Sequence, residues 1–242
     1  GRFNYELFLA QNMVSHLGVY RREAVAAVGG FREGFDGSQD YDLALRVLDH
    51  CGEHRVAYIP RILYHWRAIE GSAALSPDQK SYAPAAGRRA LRDHLVRRGV
   101  RGTVTAAPEL PFMYRVRFAL PAQEPLVSII IPTRDRADLL RRCVQSIEER
   151  SSWAHRELVI VDNGSQESGT ATLLAELAAR GATVVREDCP FNFSLLCNRG
   201  AAVARGDVLC LLNNDVEVLN RDWLEEMLSH ALRADVGCVG AR

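Results

Sequence analysis

The second half of the chain alternates apolar runs with helical patterns, and this alternation restricts the fold more than any other feature of the sequence. Leu126 to Ile131 is an apolar run of the kind expected for a strand buried on both faces of a parallel sheet. A helical pattern follows it, and further strands are predicted at residues 157–161, 182–186 and 208–212 with helices between them. This spacing predicts an α/β fold with a right-handed, doubly wound sheet.

The first half has a less regular pattern. Residues 71–83 are rich in Ser, Ala and Pro and predict a linker, and residues 103–125 predict an extended connector. The other predicted elements are helices over Arg22–Val28, Asp40–Cys51 and Pro84–Arg98, and a strand over Arg55–Tyr64 that Pro60 interrupts.

Composition and charge exclude several classes of function. With 48% hydrophobic and 25% charged residues, the chain has the composition of a soluble globular protein. No apolar run approaches the roughly 18 to 20 residues of a membrane span. Lys+Arg and Asp+Glu both number 30, and the basic residues do not interleave with aromatic ones, so nucleic acid is not an expected partner.

The cysteines bear on the cellular compartment of the protein, and the first residue bears on whether the sequence is a whole protein. The six cysteines form no C-x-x-C pair and mostly have apolar neighbours, which predicts reduced, buried thiols and a cytoplasmic location. The chain opens with Gly1 rather than Met and has no signal-peptide pattern, so we expect a piece of a longer protein.

Polar residues follow the predicted strands at the points where the strands end. Ligands of doubly wound sheets bind at these carboxyl ends. The glycine motifs of dinucleotide-binding and P-loop proteins are absent there. Instead the sequence has Pro132-Thr133-Arg134-Asp135, Asp162-Asn163-Gly164-Ser165 and Asn213-Asn214-Asp215.

Together with their surroundings these motifs identify a family resemblance. Through LVSIIIPTRDR, ELVIVDNGS, FSLLCNRGAAVARGD and VLCLLNNDVEV, residues 126–242 resemble the nucleotide-binding half of family 2 glycosyltransferases. The resemblance implies the Rossmann-like GT-A fold, with a mostly parallel sheet and flanking helices. It also implies transfer of a sugar from a nucleotide diphosphate to an acceptor hydroxyl. The chain is especially similar to the bacterial cell-surface polysaccharide branch, often described as rhamnosyltransferases, in which two such domains frequently occur in tandem.

The first half is similar to the other end of such a domain. GVYRREAVAAVGGFREGFDGSQDYDLALRV at 18–47 resembles the acceptor-side segment of the family, and IPRILYHWR at 59–67 resembles its closing segment. The resemblance thus implies three parts: residues 1–70 are the acceptor-side end of one domain, residues 71–125 are a linker with an amphipathic helix, and residues 126–242 are the nucleotide-sugar-binding start of the next.

The resemblance also implies roles for individual residues. Asp40 would be the catalytic base with Asp42 in reserve, although Ser38 or Asp40 could equally cap a helix. Asp215, helped by Glu217, water or His65, would hold a divalent Mg²⁺ or Mn²⁺, with Asn213 in place of the family's first acidic residue; His65 could equally be a packed structural histidine. The residues implied in nucleotide-sugar binding are Thr133, Arg134, Asp135, Asp162, Asn163, Asn198, Asn213 and Asn214. A helix N-cap role for Asp135 and a turn-forming role for Asp162 stay open.

Two main functions remain in competition. The first is an inverting glycosyltransferase that uses a nucleotide diphosphate sugar and a saccharide or lipid-linked acceptor, in a longer protein at the cytoplasmic face of the membrane. The second is a non-catalytic nucleotide-sugar-binding or interdomain scaffold module, which the weakened acidic motifs favour. A nucleotidyltransferase is disfavoured because its glycine-rich, basic first loop is missing.

Overall fold

The computed structural model describes residues 3–14, 17–59, 61–65, 82–107, 110 and 112–240. The chain divides into two compact units, Gly1–Ala119 and Leu120–Arg242. Each unit buries an apolar core of its own. Within the described residues, no helix is both long and apolar enough to cross a membrane.

The first unit is mainly helical and ends in a hairpin. Its helices are α1 (Tyr5–Ala10), α2 (Arg22–Ala27), α3 (Gln39–Cys51) and α4 (Ala83–Arg97), with a short 3-10 turn at Glu53–Arg55. Strands β1 (Gly102–Ala106) and β2 (Tyr114–Phe118) pair antiparallel, with Val104 opposite Val116.

Aromatic and leucine side chains form the core of the first unit. Tyr41 of α3 stacks on Tyr114 of β2 and meets Phe8 of α1 edge to face. Leu45 and Leu91 are fully buried between α3 and α4. Burial of each such leucine side chain contributes about 2 kcal/mol to stability. These contacts make α4 and the hairpin part of this core.

Two predictions for the first half are therefore wrong over the described residues. The described residues between 82 and 119, within the predicted linker and connector of residues 71–125, are not an extended connector, because α4, β1 and β2 pack against α1 and α3. The strand predicted over Arg55–Tyr64 is absent from residues 56–59 and 61–65, where the apolar side chains of Tyr58 and Ile59 are exposed instead of buried. Residues 66–81, which include most of the predicted linker, lie outside the described residues.

The second unit alternates strands and helices as predicted. Its elements are β3 (Val127–Thr133), α5 (Ala137–Arg150), β4 (Arg156–Asp162), α6 (Ser168–Ala179), β5 (Thr183–Arg186), α7 (Phe193–Val203), β6 (Val208–Leu211) and α8 (Trp223–Ala231). The four strands are parallel in the order β5-β4-β3-β6. The predicted α/β class, with a parallel sheet and flanking helices, is confirmed.

Helices cover this sheet from both sides. Alternate residues of β3 separate the two faces: Ile129 and Ile131 pack with α5, α6 and α8, whereas Ile130 packs with α7. Gly200 of α7 permits a close approach, since a Cβ there would lie 2.4 Å from Ile130 Cγ2. The carboxyl ends of β3, β4 and β6 are left to the loops that follow them.

Candidate functional site

The ends of three strands meet at Thr133, the last residue of β3. Thr133 lies opposite Asp162 in the parallel register, and its carbonyl accepts the backbone N–H of Asn163 at 2.8 Å. The side-chain Nδ2 of Asn214, in the turn after β6, donates to Thr133 Oγ1 at 3.0 Å. The turns predicted to carry the site therefore lie together at one edge of the sheet.

Asp162 stabilises the turn after β4. Its carboxylate is 2% exposed; Oδ1 accepts the backbone N–H of Ser165 at 3.0 Å, and Oδ2 accepts Arg186 Nη1 at 2.9 Å. The first bond is the turn-forming role left open by the sequence. Arg186, at the end of β5, was missed by sequence reasoning, because one basic residue at a strand end is too common to single out.

Asn163 combines a fixed amide with an unpaired oxygen. Its Nδ2 donates to the carbonyl oxygens of Glu187 at 3.0 Å and Cys189 at 2.9 Å, which uses both amide hydrogens. Its Oδ1 is buried and has no hydrogen-bond partner among the described residues. Since buried polar atoms are nearly always paired, this oxygen is an acceptor whose partner, a water molecule or a ligand donor, lies outside the described contacts.

Asp135 joins the loop after β3 to the loop after β4. Its Oδ1 accepts the backbone N–H groups of Gln166 at 2.7 Å and Glu167 at 2.9 Å, and its own N–H donates to Ser165 Oγ at 2.7 Å. The hydrogen bonds from Glu167 and then Gln166 hold the pKa of the Asp135 carboxyl below its ordinary value. Asp135 does not cap α5, whose N-cap is Arg136, so that interpretation was wrong.

Asp215 follows β6 and is exposed. Its charge reaches the buried Cys143 thiol, which donates to the carbonyl of Asn213 at 3.6 Å. Burial first, and the Asp215 charge second, raise the pKa of Cys143 to about 11. Asp215 is thus an available carboxylate beside the Asn213-Asn214 turn.

The chain provides an incomplete set of metal ligands at this turn. Among the described residues, no three His, Cys, Asp or Glu side chains form a group that could hold a metal ion. Mg²⁺ is nevertheless often bound by one or two carboxylates together with the phosphates of a substrate. The single carboxylate of Asp215 fits a cation that arrives with a diphosphate.

The remaining nucleotide candidates are not joined to Thr133 by the described contacts. Arg134 lies exposed on the loop after β3, and Asn198 is exposed on α7. Arg199, beside it, pairs with Glu187 at 2.9 Å, so its charge is partly engaged within the fold. Arg134 and Asn198 remain predictions as ligand contacts.

Asp40 lies in the first turn of α3, in the first unit. Its Oδ2 accepts Asn12 Nδ2 at 3.0 Å, and the residue is half-buried. Burial and the nearby Asp40 charge raise the pKa of Tyr20 to about 12. The helix N-cap is Ser38, whose hydroxyl donates to the carbonyl of Ala83 and accepts no hydrogen bond from a helix N–H. Of the two Asp40 carboxylate oxygens, Oδ2 therefore accepts the hydrogen bond from Asn12, and Oδ1 does not take part in that bond.

Asp42 is a structural anchor, which corrects its assignment as a reserve base. It is fully buried; Arg46 Nη2 donates to its Oδ2 at 2.7 Å, and Arg32 contacts both oxygens. Arg46 also donates to the carbonyls of Val28 and Gly30 at 2.6 and 2.7 Å. Burial pushes the pKa of Asp42 upward, but these two guanidinium groups bring it below its ordinary value. Both oxygens are occupied, so no acceptor hydroxyl can reach them.

His65 is exposed, within residues 61–65 of the first unit. The interpretation as a packed structural histidine is therefore wrong. Its role as a metal ligand stays a prediction, because the described contacts join it to no carboxylate.

Comparison with known proteins gives the second unit its family. The family described as Glycosyl transferase family 2 matches residues 128–242. Across almost all of its length, the chain is 44% identical over 242 residues to "Uncharacterized protein y4gI" of Sinorhizobium fredii and 40% identical over 239 residues to "O-antigen biosynthesis protein RfbC" of Myxococcus xanthus. These alignments include 99% and 98% of this chain but only 26% and 18% of those proteins.

Among solved structures, one similar chain is "Mannosyltransferase PcManGT from Pyrobaculum calidifontis in complex with GDP-Man and Mn2+". The TM-score is 0.45 and the identity 24%, over 50% of this chain and 37% of that one. The strand-end motifs and the family match agree on the same residues: through residues 128–242, the second unit belongs to glycosyl transferase family 2.

Proposed function

We propose that the second unit binds a nucleotide diphosphate sugar at the ends of β3, β4 and β6. The protein to which the chain belongs then transfers the sugar, with inversion, to a saccharide or lipid-linked acceptor in the synthesis of a cell-surface polysaccharide. The family match and the relative named for O-antigen biosynthesis support this proposal. A rhamnosyl donor and the cytoplasmic face of the membrane are the finer parts of the same proposal.

The unpaired oxygen of Asn163 carries the donor-binding part. Because both hydrogens of its amide are used within the fold, Asn163 can offer a ligand only an acceptor. Uracil, thymine and guanine each present a ring N–H that could donate to it. The Thr133 hydroxyl and the backbone near Asp162 lie beside Asn163. They would hold the rest of the nucleoside.

Asp215 is the residue that would hold a divalent cation with the diphosphate. Such a cation supplies positive charge that stabilises the departing diphosphate. In the first unit, Asp40 is the candidate base, since it lies at a helix start with one oxygen free of the Asn12 bond and could accept the proton of an acceptor hydroxyl.

Nucleotide titration tests the donor site. Calorimetry with UDP, dTDP and GDP, each with and without Mn²⁺, should detect binding to the wild-type chain. Asn163→Ala should weaken it by roughly 10-fold or more, because the ligand N–H loses its acceptor. Asn220→Ala, which changes an exposed asparagine of the same unit, should leave binding unchanged.

The same experiment checks that the variants are folded and that nucleotide binding depends on Mn²⁺. Since Asn163 also binds two carbonyls, circular dichroism must show that Asn163→Ala is folded, and Thr133→Val provides a second variant at the same site. Asp215→Ala should abolish the enhancement of binding by Mn²⁺, whereas Asp40→Ala should retain it. Absence of nucleotide binding to the folded wild-type chain would refute the donor-site proposal.

A non-catalytic binding module is the second candidate. It is favoured by the absence of a three-residue metal-binding group among the described residues and by Asn213 at the family's acidic position. Binding that is independent of Mn²⁺, with no sugar transfer by the longer protein, would select this alternative.

A further inference from the structure

The candidate base Asp40 is held by the side chain of Asn12. Asn12 Nδ2 donates to Asp40 Oδ2 at 3.0 Å, and both residues are half-buried. Asn12 directly follows Gln11, the C-cap of α1, whereas Asp40 lies in the first turn of α3. The contact thus joins two parts of the chain that are 28 residues apart.

A second contact determines the orientation of the Asn12 amide. The backbone N–H of Val14 donates to Asn12 Oδ1 at 3.0 Å. Because a backbone nitrogen only donates, the atom that faces Val14 must be the amide oxygen, and the amide nitrogen then faces Asp40. In the opposite orientation, the oxygen would face the carboxylate and the NH₂ group would face another donor, so both hydrogen bonds would be lost. Asn12 therefore presents a donor to Asp40.

Both partners are attached to the core of the first unit. Phe8 and Leu9 of α1 are 1% and 3% exposed. Tyr41, next to Asp40, is 2% exposed, and its hydroxyl donates to the carbonyl of Phe8. This bond joins the start of α3 to α1. The separation of Asn12 and Asp40 is therefore determined by packed helices.

We propose that Asn12 is a positioning residue for the candidate base, an inference that rests on the role of Asp40 in the proposed function. The hydrogen bond from Asn12 fixes the rotation of the Asp40 carboxylate, with Oδ2 toward Asn12. Oδ1 is then the oxygen that takes the proton of the acceptor hydroxyl.

Two tyrosines also face Asp40. Burial first, and then the Asp40 charge, raise the pKa of Tyr20 to about 12. Burial also raises the pKa of Tyr114 in β2, although a hydrogen bond with Ser38 and the charge of Arg88 oppose it. Both phenols stay protonated near neutral pH, so neither competes with Asp40 for the proton of an acceptor.

Sugar transfer by the longer protein tests the positioning role. Labelled UDP-, dTDP- and GDP-sugars are the donor probes, a membrane preparation of the producing cells supplies the acceptors, and incorporated label is measured. Asn12→Asp keeps an acceptor for Val14 but replaces the donor to Asp40 by a second carboxylate. It should lower kcat about tenfold or more and leave the KM of the donor unchanged, because the base is displaced. The loss should be larger at pH 6 than at pH 8, since neighbouring like charges disfavour ionisation of the pair.

Asn4→Asp provides the matched control. Asn4 is exposed, and its side chain caps α1 by accepting the N–H of Leu7 at 3.0 Å, a role that Asp performs equally well. This variant adds the same charge to the same unit and should behave as wild type. Circular dichroism checks that both variants are folded. Asn12→Ala removes the donor without adding a charge, so its loss of kcat should depend less on pH.

A spectroscopic measurement tests the contact without sugar transfer. In the ¹⁵N-labelled chain, the NMR signals of the Asn12 side-chain amide should shift in Asp40→Asn and stay unchanged in Asp36→Asn, which changes an exposed carboxylate of the same unit. Amide signals that do not respond to Asp40→Asn, or a folded Asn12→Asp protein with wild-type kcat and pH dependence, would overturn the proposal. Wild-type transfer by Asp40→Asn would instead disprove the assignment of Asp40 as the base, and the positioning role with it.

Discussion

The two units each bury a polar side chain at a key position, but they satisfy it differently. In the first unit, Asp42 is fully buried and both its oxygens are bound by Arg32 and Arg46. In the second, Asn163 is 2% exposed, its nitrogen is fully used and its oxygen has no described partner. The difference teaches that burial alone does not indicate function: a satisfied group holds the fold, whereas an unsatisfied one is a candidate for a partner from outside the chain.

Removal of the satisfied charge should have the largest effect. Asp42→Asn should lower the free energy of unfolding of the first unit by about 3 kcal/mol, because the buried Arg46 guanidinium loses its counter-charge and Arg32 keeps only its pairing with Asp93. Hydrogen exchange followed by mass spectrometry should show faster exchange in α3 and α4 and unchanged exchange in β3 and β4. Asp138→Asn, an exposed carboxylate paired with Arg136, serves as the control and should change little. Equal loss of protection in both units would contradict the comparison.

A glycine pair tests how tightly the second unit is packed beneath its site. Gly200→Ala should destabilise this unit by about 2 kcal/mol, because the new Cβ would lie 2.4 Å from Ile130 Cγ2, on a fully buried side chain. Gly169→Ala in α6 meets nothing within 4 Å and should instead stabilise it slightly through helix propensity. Urea unfolding of both variants gives the values. A Gly200→Ala protein as stable as Gly169→Ala would mean that α7 can move away from the sheet at no cost.

The smallest expected effect is the electrostatic influence of Asp215 on the Cys143 thiol. Burial, and then the negative charge of Asp215, raise the pKa of Cys143 to about 11. Asp215→Asn should therefore lower the pKa of Cys143 and increase the fraction of thiolate at alkaline pH. Alkylation by iodoacetamide from pH 8 to 10, quantified at each cysteine by mass spectrometry, should be faster at Cys143 in Asp215→Asn than in the wild type. The exposed Cys238 provides the internal reference, and a rate at Cys143 that does not change would show that the two groups are not electrostatically coupled.

Prediction from the sequence was most successful where local pattern determines structure. The run from Leu126 to Ile131 became β3 (Val127–Thr133), because a strand buried on both faces needs apolar residues throughout. The meeting of Thr133, Asp162 and Asn214 was also predictable, since parallel strands end at one edge. The pairing of β1 with β2 was not, because an antiparallel partner cannot be read from the alternation around Tyr114 alone.

The misplaced roles depended on contacts between distant residues. Asp40 and Asp42 are equivalent in the sequence pattern, and only Arg32 in a preceding loop and Arg46 one turn later determine that Asp42 is enclosed. Asp135 looked like a helix cap because short polar residues before a helix usually are. In the structure, Asp135 and Arg136 adopt left-handed φ values of 52° and 55°, which their residue types do not specify.

The hydrogen bonds between Asp135 and residues 165–167 have a consequence for engineering the proposed donor site. They join two loops from different strands into one rigid rim, so a substitution in either loop shifts the other. Grafting the rim of another enzyme will succeed only when residues 133–136 and 162–167 are exchanged as a block.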